Sequence, residues 1–232
     1  MKKIIYIFFL FVVFFGNTVS AQQKNDDSIP NLISKIDSIA FNNAIGMYEV
    51  ITQGKVFYIS KDYKYVFIGN IIDVINKKNI TIERIKEIRK IQWSDLPLSD
   101  AIAIKRGDGS HKVSIFTDPD CPFCRKLHEE LYKLDNVTIY VFLYPLVQLH
   151  PEAKKKSIAI WCSDDRENSL KVVMDGKKIN NRKDCTNPID RNITFGKAHN
   201  IDGTPAIIFQ SGEVIQGYIS ADQIYKKIAE GV

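Results

Sequence analysis

Residues Lys112 to Thr117 (KVSIFT) read as an apolar strand, and Asp118-Pro119-Asp120 reads as a tight turn. The next segment, Cys121 to Leu134 (CPFCRKLHEELYKL), places Phe123, Leu127, Leu131 and Leu134 at helical spacing. A Cys-x-x-Cys therefore stands at the mouth of a helix, directly after a strand. Val137 to Leu143 (VTIYVFL) supplies a second apolar strand, so the three elements make a parallel unit joined by a right-handed crossover. Few architectures accommodate that unit, and the expected class is α/β within a chain that is α+β overall.

Position sets the chemistry of the two thiols. Free backbone N–H groups and the positive end of the helix dipole stabilise an anion at the first turn, and cysteine pKa falls in such settings. Cys121 is the expected nucleophile. Cys124, one turn further in, is placed to attack a mixed disulfide formed at Cys121 and so acts as the resolving thiol. A zinc knuckle needs a second close ligand pair, which the distant Cys162 and Cys185 with a lone His128 do not provide; no metal is expected. Haem attachment needs histidine directly after the second cysteine, and Arg125 stands there.

Cys162 and Cys185 pair by spacing and close a loop for which the chain-entropy estimate is roughly 3 kcal/mol, so they read as a structural disulfide. Such bonds persist outside the cytoplasm, and the amino terminus agrees. Lys2 and Lys3 precede a 12-residue apolar run, Ile4 to Phe15, and then Val19-Ser20-Ala21, the pattern of a cleaved signal peptide over residues 1–21. The run is too short to span a bilayer, which takes about 20 apolar residues. Net charge is +5 for the whole chain and +3 once the two leader lysines are removed. Basic and acidic residues alternate without forming a stripe, so a nucleic-acid partner is not expected.

Residues 29–41 put Leu32, Ile33, Ile36, Ile39 and Ala40 at helical spacing, which predicts a short amphipathic helix. From Gly46 to Ile59 and from Tyr63 to Ile68 the residues are β-branched and aromatic, with a turn at Ser60-Lys61-Asp62, so a hairpin is expected. A sheet this small has difficulty burying its apolar face alone, and dimerisation is the expected remedy. From Asn79 to Trp93 the isoleucines at 82, 85, 88 and 91 predict a linker helix with one apolar stripe. Pro97 in the segment from Ser94 to Asp100 marks a boundary. The expected divisions are 1–21 leader, 22–78 amino-terminal domain, 79–100 linker and 101–232 redox domain.

Residues 151–200 are expected to form a mostly helical insertion; its lysine run at 154–156 reads as a solvated face. Gly203-Thr204-Pro205 then leads into the strand Ala206 to Phe209, a turn at Ser211-Gly212 and a strand from Glu213 to Tyr218. His111, His128, His150 and His199 receive no role.

The motif Phe-Thr-Asp-x-x-Cys-x-x-Cys-x-Lys-Leu-His-Glu at 116–129 closely resembles bacterial disulfide isomerases of the DsbC family. Ile160-Trp161-Cys162 with Cys185 is similar to that family's second disulfide, Gly203-Thr204-Pro205-Ala206 to its cis-proline loop, and the hairpin with Gly69 to its dimerisation domain. The resemblance implies a homodimer in which a cystatin-like dimerisation domain joins, through a helical linker, a thioredoxin-fold catalytic domain with a helical insertion. It implies Cys121 as attacking thiol, Cys124 as its partner, Pro205 as the cis-proline and Thr204 beside it. It further implies a periplasmic location, misfolded or mis-oxidised secreted proteins as clients, no cofactor, and a membrane thiol reductase of the DsbD type as reductant.

One departure stands out. Pro122-Phe123 occupies the positions where the typical isomerase of the family has glycine and tyrosine, and proline with an aromatic is similar to DsbG-like and glutaredoxin-like motifs. DsbG-like reduction of oxidised cysteines, DsbA-like oxidation and non-enzymatic holdase activity are the alternatives.

Overall fold

The computed structural model describes residues 36–180 and 185–231. The expected leader lies outside them, and among the described residues no helix is long and apolar enough to cross a membrane.

The amino-terminal part is an antiparallel meander of β1 (Ser38–Asn42), β2 (Met47–Thr52), β3 (Lys55–Ser60) and β4 (Val66–Phe67). Ser38–Asn42 is thus a strand and not the end of the helix expected over 29–41; residues 29–35 of that expectation lie outside the described residues. The spacing of Ile36 and Ile39 mimics a helical stripe, but both side chains are exposed, so no buried face rewards a helix. Instead β1 runs antiparallel to β2 from Ser38↔Ile51 to Asn42↔Met47, and the Asp37 carboxylate accepts a hydrogen bond from Gln53 N at 2.6 Å.

The strand expected from Gly46 to Ile59 is broken at Gln53-Gly54, whose φ values of 48° and 70° form a tight hairpin between β2 and β3. Two consecutive positive φ values match the right-handed twist of the flanking strands. A short ribbon of β5 (Ile72–Asp73) and β6 (Lys78–Asn79) follows.

Helix α1 (Ile80–Ile88) is capped by the Asn79 side chain, which accepts from Ile82 N at 2.9 Å. It is shorter than the expected helix of 79–93, and Trp93 lies in a separate 3-10 turn. The isoleucines do not form one stripe. Steps of three residues turn about 300°, so the row drifts around the helix. Ile85 and Ile88 pack against Ile51, Val56 and Tyr58, whereas Ile82 is exposed and Ile91 enters the core of the redox domain.

The redox domain is built on a five-stranded sheet in the order β11-β10-β8-β9-β7. Its members are β7 (Ile102–Arg106), β8 (His111–Thr117), β9 (Val137–Leu143), β10 (Ala206–Phe209) and β11 (Val214–Gln216). β8 and β9 are parallel, joined by α2 (Pro122–Leu131), and the other pairings are antiparallel. Alternation along β8 sends Val113 and Ile115 into one core with Leu127, Leu131, Ile160 and Ile224. Phe116 goes to the other face with Phe142, Tyr144 and Ile208.

The insertion comprises α3 (Ala153–Trp161), α4 (Arg166–Met174) and α5 (Ile189–Ala198). The chain closes with α6 (Ala221–Glu230), started by a capping box between Ser220 and Gln223.

Candidate redox site

Strand β8 ends at Thr117 and delivers the chain to a turn that α2 leaves at once, because Pro122 occupies the first helical position and lacks the N–H that a helix start would leave unpaired. Cys121 is the residue flanking that start, in extended backbone, and the backbone N–H groups of Phe123 and Cys124 in the first turn favour its anionic form. Both cysteines of the motif are free thiols. Cys124 is fully buried, Cys121 is 6% exposed, and Phe123 between them stands out at 62% exposure.

The loop before β10 meets the motif from the other side. The Thr204-Pro205 peptide bond is cis, and Cys121 Sγ lies 3.3 Å from the Thr204 carbonyl oxygen, to which it donates when protonated. The Thr204 hydroxyl is buried without a partner among the described residues, and its O–H is available to the two sulfurs, both of whose anionic forms it favours.

The electrostatics separate the pair. The Cys121 pKa falls to about 5, chiefly through the hydrogen bond from the Cys124 side chain, with the backbone N–H groups of Cys124 and Phe123 adding to it against the cost of burial. Cys124 moves up, because burial opposes its ionisation and it is the donor to Cys121. One thiol is a thiolate at neutral pH and the other holds its proton, the division a nucleophile and a resolving group require.

A buried layer that sequence reasoning left unassigned supports the motif. Asp118, fully buried, accepts from Leu146 N and Asp120 N, each at 2.7 Å, and pairs with His150 Nδ1 at 3.0 Å. Its own N–H donates to Cys124 Sγ at 3.4 Å. Behind Cys124, His128 Nε2 approaches the Thr117 hydroxyl at 3.5 Å, and burial lowers the His128 pKa to about 4, so this imidazole is neutral. No local pattern marks His150, which reaches Asp118 across 32 residues. His128 lies on the buried face of α2 with Cys124, Leu127 and Leu131.

Cys162 and Cys185 are joined by a disulfide with Cα atoms 5.7 Å apart, at the end of α3.

Comparison with known proteins agrees with this geometry. The model of the thioredoxin-like domain family matches residues 98–231, more than half of the chain, and that of the disulfide bond isomerase protein N-terminal domain matches residues 17–82. The chain belongs to the DsbC family of thiol:disulfide interchange proteins. A probable DsbC of Bordetella pertussis is 32% identical over 183 residues, which cover 79% of this chain and 65% of that protein. The DsbC of Escherichia coli is 26% identical over 220 residues, covering 94% of this chain and 92% of the relative. Among solved structures, a disulfide interchange protein from Neisseria gonorrhoeae is 36% identical, with a TM-score of 0.56, covering 59% of this chain and 98% of its own. The fold is therefore that of a DsbC-type chain, a thioredoxin-like domain preceded by the family's amino-terminal domain.

Proposed function

We propose that this DsbC-family chain is a periplasmic thiol:disulfide isomerase and reductase that rearranges incorrect disulfides in secreted proteins. The observation that carries the reading is the thiolate of Cys121, poised at a helix start against the Thr204-Pro205 loop, with a protonated Cys124 behind it.

In this reading the Cys121 thiolate attacks one sulfur of a client disulfide along the S–S axis. A bond forms between Cys121 and that sulfur, and the client's other sulfur leaves as a thiolate that takes a proton from solvent. If a different client thiol then displaces Cys121, the client has exchanged one disulfide for another and no net electrons have moved. If Cys124 gives up its proton and attacks Cys121, the motif becomes a disulfide and the client is reduced by two electrons. The Thr204-Pro205 loop, which meets Cys121, is in this reading where a client strand is held during attack.

Residues 1–21 are then a leader removed on export, 22–78 a dimerisation domain, 79–100 the linker and 101–232 the catalytic domain. Dimerisation is supported by the apolar residues the amino-terminal part leaves at its surface: Tyr63, Tyr65, Phe67, Ile68, Val74 and Ile75 are all exposed. The motif is kept reduced by a membrane thiol reductase of the DsbD type.

The test is refolding of ribonuclease with scrambled disulfides. The mature protein is expected to restore ribonuclease activity, Cys121→Ala to abolish the effect, and Cys124→Ala to accumulate a covalent client adduct. Full activity in Cys121→Ala would end the proposal.

A further inference from the structure

Beside the redox motif lies a cleft of about 480 Å³ whose charged lining is Arg125, Lys155, Lys156, Lys177 and Lys178 against one carboxylate, Glu152. Its walls come from the start of α2, from α3 and from the segment that follows α4. The lysine run at 154–156 is not one solvated face: Lys154 turns away to Asp190 at 2.6 Å, Lys156 pairs with Asp120, and Lys155 opens on the cleft. Arg125 bonds the Pro119 carbonyl at 3.2 Å and Asp120 at 3.4 Å, and its guanidinium lies against the space beside Gly176.

Two acids next to the lining are already committed. Asp120 is shared by Arg125 and Lys156, and Asp175 is 4.0 Å from Lys177 and 3.3 Å from Lys171. Among the described residues, the five lining cations still leave two positive charges uncompensated when both acids and Glu152 are counted. Lys155 and Lys178 carry no ion pair among the described residues, in contrast to the alternation of charge elsewhere in the chain. The volume suits a bound group of a few side chains. The Cys162–Cys185 bridge fastens the end of α3, the helix that supplies Lys155 and Lys156.

We propose that this cleft receives acidic side chains of a client polypeptide while its disulfide is engaged at Cys121, so that the protein favours cystines flanked by aspartate or glutamate. Continuity with the motif argues for a polypeptide occupant: Asp120, which anchors the cleft's cations, directly precedes Cys121, and Arg125 directly follows Cys124. A client chain crossing Cys121 passes the mouth of the cleft, and its carboxylates meet unpaired ammonium groups. Because the cations are exposed, the attraction acts on encounter and weakens with salt. The inference rests on the reading of Cys121 as the attacking thiol.

The experiment uses the reduced, full mature protein and three disulfide-bonded peptides that differ only in bearing glutamates, glutamines or lysines beside the cystine. The readout is the rate of mixed-disulfide formation at Cys121. At low ionic strength the glutamate peptide is expected to react roughly tenfold faster than the glutamine peptide, with most of that advantage gone at about 0.5 M salt. The double variants Lys155→Glu/Lys178→Glu and Lys155→Gln/Lys178→Gln are expected to lose the advantage, whereas Lys226→Glu, on the far helix α6, keeps it. Unfolding midpoints establish that each variant is folded.

Equal rates for the glutamate and glutamine peptides, or an advantage that survives both double variants, would overturn the proposal. Inhibition by inorganic phosphate that is equal for both peptides would assign the cleft to small anions and overturn it too. Failure of every peptide to join Cys121 would instead overturn the redox reading itself.

Discussion

The buried carboxylate of Asp118 holds His150 Nδ1 at 3.0 Å, bringing the loop after β9 against the turn that precedes the redox motif. The same carboxylate satisfies the N–H groups of Leu146 and Asp120. Replacing it removes three partners at once and leaves partly buried donors unpaired. Asp118→Ala is expected to cost roughly 2–4 kcal/mol in denaturant unfolding. His150→Ala, which leaves the two backbone bonds in place, is expected to cost less than half as much. Equal losses in the two variants would show that the imidazole, and not the turn, is what the carboxylate serves.

Alkylation of Cys121 is expected to follow a titration with its midpoint at about pH 5, while Cys124 stays unreactive at neutral pH. The sign for stability follows from the direction of the shift. The folded pKa lies below the value of about 8.5 for a free cysteine, so the folded reduced protein binds fewer protons between those values. Its thiolate stabilisation is complete above about pH 8.5 and is lost as pH falls toward 5. At pH 7 the reduced form is therefore expected to resist denaturant better than the form with Cys121 and Cys124 joined. A difference of opposite sign between the two unfolding curves would contradict the thiolate assignment.

What the sequence made legible and what it hid have physical causes. Strands β8, β9 and β10 and the Cys-x-x-Cys helix are legible because apolar runs there are bounded by turn residues, and packing on both sheet faces agrees with local propensity. The first strand misleads because Ile36 and Ile39 satisfy a helical period while facing solvent, and strand pairing with β2 decides the outcome. Gln53-Gly54 carries a turn signal that a continuous β-branched run obscures. The α6 helix is not among the elements expected from the sequence, although Ser220, Gln223, Ile224 and Ile228 carry a cap followed by an apolar face. Within the site the sulfurs are legible from motif alone. The pairing of Asp118 with His150 is not, since it depends on where two distant loops meet.

His128 supplies a second pH signature. Burial lowers its pKa to about 4 from the ordinary value near 6.5, so the unfolded chain binds a proton that the folded chain does not between those pH values. The folded state consequently loses stability as pH falls through this window, by roughly 3 kcal/mol over its full width. A His128→Leu variant is expected to show a flatter stability profile than the unaltered protein from pH 6.5 down to 4. Parallel profiles would mean that the imidazole takes up its proton without leaving its site.

Gly196 in α5 sits where a side chain would strike an aromatic ring: a Cβ there would lie 2.5 Å from Tyr144 Cε2 and 2.8 Å from Cζ. The Tyr144 hydroxyl donates to the Ile201 carbonyl at 2.9 Å, so the ring cannot retreat without breaking that bond. Gly196→Ala is expected to destabilise the redox domain by about 1–3 kcal/mol, read from thermal unfolding. Gly203→Ala, with open space around its Cβ, is the comparison expected to cost less.

The Cys162–Cys185 bridge makes the protein subject to the same currency of electrons that its motif trades in. A structural bridge yields only to a stronger reductant than an exchangeable one does, and loss of this strut relaxes a loop of 24 residues. The protein is thus both armed and intact only between two potentials: above the upper one the motif closes, and below the lower one the brace parts.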